Sequence, residues 1–337
     1  MYRQKQLTAG LLLLVFCASV KAAPLFEEST VLEMELVGPV NELLADKNGQ
    51  QALPFTLRTD SVDHKIEVRL RGNSRRRVCS FPPLRFKFKT KASVGTLFES
   101  QKKLKLVTHC RESDVAEQDL LKEYMAYRLF NMLSEKSYRV RLVSITYSED
   151  DPAHDKKTLQ RYGYFIESSD ELAKRLSATQ VMRTGISRES LDSKQASLVY
   201  AFQYLIGNTD WSIVKADTDE FCCHNGDLFD IDLKHVLIPY DFDLSGLVDT
   251  HYAKPDPLLR VRNVRKRVYR GYCLATDDLT IALQAIADRE SDILNLPFTT
   301  PGVTPRQMET ASRYLNGYFK SVSDIEKAVR KFDSRCL

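Results

Sequence analysis

One segment, GNTDWSIVKADTDEFCCHNGDLFDIDLKHVLIPYDFDLSG at residues 207–246, gathers the side chains best suited to chemistry: Asp210, Asn225, Asp241 and Asp243. The run LIPY reads as an apolar strand ending directly in Asp241 and Asp243, and carboxylates at a strand end point into whatever cleft the strand borders. Hard cations such as magnesium take oxygen ligands, so Asn225, Asp241 and Asp243 are candidate metal ligands. Asp210 ends the apolar stretch YAFQYLIG and is a candidate for orienting a hydroxyl. Phosphoryl transfer asks for little more than these groups, a lysine on the phosphates and a carboxylate to hold that lysine. Lys105 lies in the alternating stretch KKLKLV and Glu123 follows eighteen residues later inside a helical pattern. Asp210, Lys105 and Glu123 are therefore the candidate catalytic set.

The frame for these residues is read from periodicity. TVLEMEL and LPFTLRT have strand character, and Ile66, Val68 and Leu70, then Leu84, Phe86 and Phe88, alternate with charged residues on either side of a turn, which predicts two antiparallel strands. Leu104 and Leu106 alternate with Lys103 and Lys105 in a further strand. The period then changes: Leu120, Tyr124, Tyr127 and Phe130 fall at helical spacing in DVAEQDLLKEYMAYRLFNMLSEK, and the strands YRVRLVSITYS and QRYGYFIES follow. From about residue 168 the chain reads as mostly helical. Strands around a single helix, followed by a helical part with acidic loops, is the element order of a protein-kinase-like fold. The expectation is thus an α+β, two-lobed, kinase-like architecture: a β-rich lobe with one helix over 24–167 and a helical lobe over 168–337.

With 337 residues, 43% of them hydrophobic, the chain can bury a sizeable core. A net charge of +4 is small for this length and calls for no nucleic-acid partner. The basic clusters Arg75–Arg77 and Arg262, Arg265, Lys266, Arg267 read as solvated faces. The start, MYRQKQLTAGLLLLVFCASVKAAP, has a basic head, a short apolar run and small residues at Ala22 and Ala23, the pattern of a secretory leader over 1–22. The expected mature protein is exported, periplasmic or extracellular, with no integral membrane segment. Export makes disulfides the expected state of the remaining six cysteines. Cys79 and Cys110, at strand ends, are expected to pair, as are Cys222 and Cys223 with Cys273 and Cys336, one each. His109, His224, His235 and His251 show no paired metal spacing and read as surface or core residues; no GxSxG, HExxH or Walker A motif is present.

RGNS followed by PPLRFKF resembles the RGNS and KPYRLKL elements of the spore-coat CotH kinase family, and GNTD, HN and IPYDFD are similar to its N-x-D, N and PWDFD elements. The resemblance covers roughly residues 65 to 250. It implies an atypical kinase that moves phosphate from ATP to a protein with Mg2+ or Mn2+. It puts Asp210 at the catalytic aspartate and Asp241 at the metal-binding one. Family matching selects Lys87 in RFKF for the cofactor, whereas spacing to Glu123 selects Lys105; Gly72 and Asn73 of RGNS are further cofactor candidates. The chain also resembles a group of exported bacterial proteins with NTDWS, PYDFD and YRGYC signatures, which implies no activity. Because ATP is scarce outside the cytoplasm, the alternative expectation is a catalytically silent, kinase-like binding module of the cell envelope that binds a phosphorylated or polyanionic partner through its arginines.

Overall fold

Among the described residues of the first half, alternating stretches form seven strands, β1 (Leu32–Val37), β2 (Leu53–Thr59), β3 (Val62–Leu70), β4 (Leu84–Phe88), β5 (Lys103–Val107), β6 (Val140–Ser148) and β7 (Leu159–Ile166). The computed structural model describes residues 25–59, 62–89, 93–150, 158–182, 186–213 and 222–337; the leader expected at 1–22 lies outside them. The strands close into a barrel in the order β1-β2-β3-β4-β5-β7-β6. Six of the seven pairings are antiparallel, and closure comes from β1 lying parallel to β6, with Leu32 opposite Val143 and Val37 opposite Ser148. Leu36, Leu57, Val68, Phe86, Leu106, Ile145 and Phe165 fill the interior with no exposed surface. This is how period-two alternation acts in a closed sheet, apolar residues inward and the charged set outward.

The expectation of a two-lobed kinase-like fold with a one-helix β lobe is overturned. The first half is a closed mixed barrel and, among the described residues, carries three helices, α1 (Val40–Ala45), the short α2 (Arg75–Val78) and α3 (Asp114–Leu133), not one. Alternation reports which face of a strand is buried but not which strand lies beside it. The closing pair β1 and β6 is separated by more than a hundred residues, so sequence order alone hid it.

The second half is largely helical, with α4 (Ser169–Arg175), α5 (Ser193–Ile206), α6 (Thr276–Ala287), α7 (Glu290–Thr299), α8 (Pro305–Ser321) and α9 (Ile325–Asp333). It also holds a three-stranded sheet in the order β10 (Lys234–Pro239), β9 (Gly226–Ile231), β8 (Thr179–Gln180). A second core joins the two halves: Leu121 and Leu129 of α3, Phe202 and Leu205 of α5, Ile238 of β10, Phe242, Leu283 and Tyr318 are all fully buried in it. Among the described residues no helix is long and apolar enough to cross a membrane.

Cys79 and Cys110 are bonded as expected, their Cα atoms 4.6 Å apart. The other pairing differs: Cys222 bonds its neighbour Cys223, and Cys273 bonds Cys336. The last residues run back along 271–273, where the Leu337 N–H donates to the Gly271 carbonyl at 3.0 Å and the Cys273 N–H to the Leu337 carbonyl at 3.3 Å. That backbone pairing sets Cys336 beside Cys273 and leaves the adjacent cysteines to each other.

Candidate functional site

Lys105 is central in β5, and because Leu104 and Leu106 point into the barrel it must point out. Its cross-strand neighbour is Arg85 of β4, which in turn faces Arg69 of β3. Arg71, just past β3, adds a fourth cation near Lys105. Burial lowers the Lys105 ammonium to about 8, and the positive field of Arg71 pushes the same way, while Asp227 and Asp241 oppose it. This outer barrel wall is a partly desolvated basic surface with two carboxylates opposite. Burial raises Asp227, against hydrogen bonds from the Tyr138 hydroxyl and from Gln180 at 3.3 Å.

Those opposing carboxylates come from the β9–β10 hairpin and the loop after it. Phe242 anchors the loop by packing between Tyr127 and Phe202, ring centroids 4.7 and 5.4 Å away, so Asp241 and Asp243 on either side of it are held in place. Asp241 adopts a left-handed backbone, φ 58°, and its N–H donates to the Tyr127 hydroxyl at 2.9 Å. A non-glycine residue in that conformation costs about 1 kcal/mol and persists where the surroundings over-determine it. Its side chain is 44% exposed, whereas that of Asp243 is 9% exposed.

Arg75 ties this loop to the barrel side. Its guanidinium reaches Glu123 of α3 at 2.6 Å, Asp241 at 2.9 Å and Asp243 at 3.1 Å. Asp243 also accepts from the Tyr252 hydroxyl at 2.7 Å. Burial raises the carboxyls of Glu123 and Asp243 while Arg75 pulls both down. Arg75, which burial alone would lower, is carried well above its ordinary value by the three carboxylates. Glu123, expected to hold Lys105, thus holds Arg75. The basic triplet read as a solvated face divides: Arg77 is exposed, Arg76 donates to backbone carbonyls of Gly72 and Asn48, and Arg75 is buried.

Asp210 is delivered by the end of α5, where Gly207 takes the left-handed cap at φ 64° and turns the chain outward. Asn225 donates from Nδ2 to Asp210 Oδ2 at 2.8 Å and to its carbonyl at 2.7 Å, and His224 Nε2 lies 3.1 Å from Asp210 Oδ1. The Asn225 carbonyl accepts the Tyr240 N–H at 3.2 Å, which places this trio next to Asp241. Of the predicted residues, Lys105, Asp210, Asn225, Asp241 and, through Arg75, Glu123 and Asp243 belong to one region. Lys87 is exposed on β4 and paired with Glu67 at 2.7 Å, while Gly72 and Asn73 form an exposed turn before α2. Sequence reasoning missed Arg75, Arg71, Asp227 and His224. For Arg75 a signal existed, a basic residue directly after RGNS, but it was hidden in a basic run.

Among the described residues no group of three or more His, Cys, Asp or Glu is arranged to hold a metal. Magnesium rarely needs one, since one or two carboxylates plus substrate phosphates suffice. Asp241 and Asn225 supply a donor set that fits this mode. Asp243 fits less well, its Oδ2 already shared by Arg75 and Tyr252. Trp211 stacks on Tyr200 at 5.3 Å and is a core residue. No family model and no curated protein matched the chain.

Proposed function

We propose that the protein is an exported, metal-dependent phosphotransferase that moves the terminal phosphoryl group of ATP to a hydroxyl of a protein partner. The observation that carries the reading is the juxtaposition of Asp241, in a left-handed backbone beside the Asp210–Asn225 pair, with the desolvated ammonium of Lys105. The motif resemblance to CotH kinases points the same way for the site residues, though not for the fold. In this reading Lys105, with Arg71 and Arg85, neutralises the phosphates. Asp210, held by Asn225 and His224, orients the acceptor hydroxyl and takes its proton. Asp241 and Asn225 present oxygens to Mg2+ or Mn2+, which when bound would neutralise charge on the transferring group. The disulfides and the leader-like start support export.

One observation favours a second reading, a catalytically silent envelope module: Arg75 already engages both Asp241 and Asp243. Calorimetric titration of the mature protein with ATP, with and without Mg2+ or Mn2+, separates the two. Metal-dependent binding is expected of the phosphotransferase; no nucleotide binding with either metal would leave only the silent module.

A further inference from the structure

The second basic cluster of the sequence borders a concavity that shares no residue with the carboxylate site. This cleft, about 520 Å³ in volume, is lined by Arg265, Lys266, Arg267, Lys331 and Arg335 and, among the described residues, by no Asp or Glu. Its size falls within the range of sites for small ligands. The floor is aromatic: Tyr269 and Phe332 stack with ring centroids 4.3 Å apart, and Tyr204 meets Phe332 edge-on at 4.7 Å.

Two of the five cations are fixed. Arg267 donates to the Tyr314 carbonyl at 2.6 Å and the Leu205 carbonyl at 3.1 Å, and lies 3.9 Å over the Tyr314 ring. Arg265 approaches the same ring at 4.9 Å and reaches Asp249 at 3.3 Å. The other three face the cleft without compensation: among the described residues no carboxylate lies within ion-pair distance of Lys266, Lys331 or Arg335. Arg335 immediately precedes the disulfide-bonded Cys336, which tethers its backbone beside the cleft. Like charges gathered in a partly enclosed space repel, and a ligand bearing several negative charges relieves that repulsion at every cation at once. Arginine forks match phosphate oxygens two at a time.

We infer that this cleft binds clustered phosphate groups, either of a soluble oligophosphate or of a phosphate-bearing chain, independently of the phosphotransfer site. The probe is sodium tripolyphosphate, titrated calorimetrically into the disulfide-intact protein without divalent metal at an ionic strength of about 0.15 M. One ligand per chain is expected, with affinity weakened about tenfold or more in the double variant Lys331→Ser, Arg335→Ser. Both residues are exposed, so the thermal midpoint of the unliganded variant should match the wild type. Lys105→Ala should leave this affinity unchanged, which keeps the result separate from the phosphotransfer reading. Long-chain polyphosphate at matched phosphate concentration distinguishes the sources: equal affinity per site points to a soluble oligophosphate, tighter binding to a chain. Absence of binding, equal affinity in the double variant, or loss of binding in Lys105→Ala would overturn the assignment.

Discussion

The guanidinium of Arg75 lies 2.6 Å from the Glu123 carboxylate in a position where both side chains are almost fully buried. Removing one partner of such a pair strands charge in a low-dielectric site, so Arg75→Met should destabilise the fold by about 3 to 5 kcal/mol at neutral pH. Because burial already raises Glu123 and Asp243, acidification lets both take protons and lose the charge that Arg75 balances. The deficit of Arg75→Met relative to wild type should therefore shrink as pH falls toward 5. Urea unfolding of both proteins at two pH values checks this.

His109 is fully buried against Phe81 and Tyr147, and among the described residues neither of its ring nitrogens has a hydrogen-bond partner. Burial lowers it to about 4, with Arg161 adding in the same direction. The unfolded chain binds the proton first, so this contribution is intact above the unfolded value near 6.5 and is lost as pH falls through 4. At pH 4 the loss should be about 3 kcal/mol. His109→Phe, measured by denaturant unfolding across pH 4 to 7, should flatten this part of the profile.

Lys105 titrates at about 8 in the folded protein. Nucleotide affinity should therefore decline as pH rises past 8, and Lys105→Arg should hold it level to higher pH. The linkage to folding has the opposite sense: between 8 and 10.5 the unfolded chain carries the extra proton, so stability rises over that window. Titrations at a series of pH values, paired with unfolding curves, check both slopes.

The Cys273–Cys336 bond spans 63 residues. In the chain-entropy account its loss costs about 4 kcal/mol, so a variant with both Cys273 and Cys336 replaced by Ser should unfold at markedly lower denaturant. Non-reducing peptide mapping of the wild type should recover Cys273 linked to Cys336; a peptide joining either to Cys222 or Cys223 would contradict the pairing.

Individual strands were legible, though not the barrel they form, because they carry clean alternation. Leu104 and Leu106 against Lys105, or Ile66 and Val68 against Glu67, announce both the strand and its inward face. The closure of β1 on β6 was not legible, since it depends on which distant strand completes the sheet. The helical reading beyond residue 168 did not show the break at residues 288 and 289 between α6 and α7. In the site, Asp210 and Asp241 were readable as carboxylates at the ends of apolar stretches, and Asn225 as an oxygen donor matching a motif element. Arg75 was not, because burial of one arginine in a run of three is decided by the carboxylates that fold against it. Glu123 was found on the right helix and assigned the wrong cation for the same reason.

Transfer of labelled terminal phosphate from ATP, to the protein itself or to a generic protein acceptor, bears most directly on the central claim. A metal ligand acts already in the bound ground state, so Asp241→Asn should weaken nucleotide binding; a carboxylate that orients the acceptor acts mainly in the transition state. At saturating ATP with Mg2+, the wild type should therefore transfer label, while Asp210→Asn, still binding nucleotide, should transfer about a hundredfold less or slower. A wild type that transfers no label with Mg2+ or Mn2+, or an Asp210→Asn variant that transfers at the wild-type rate, would contradict the account.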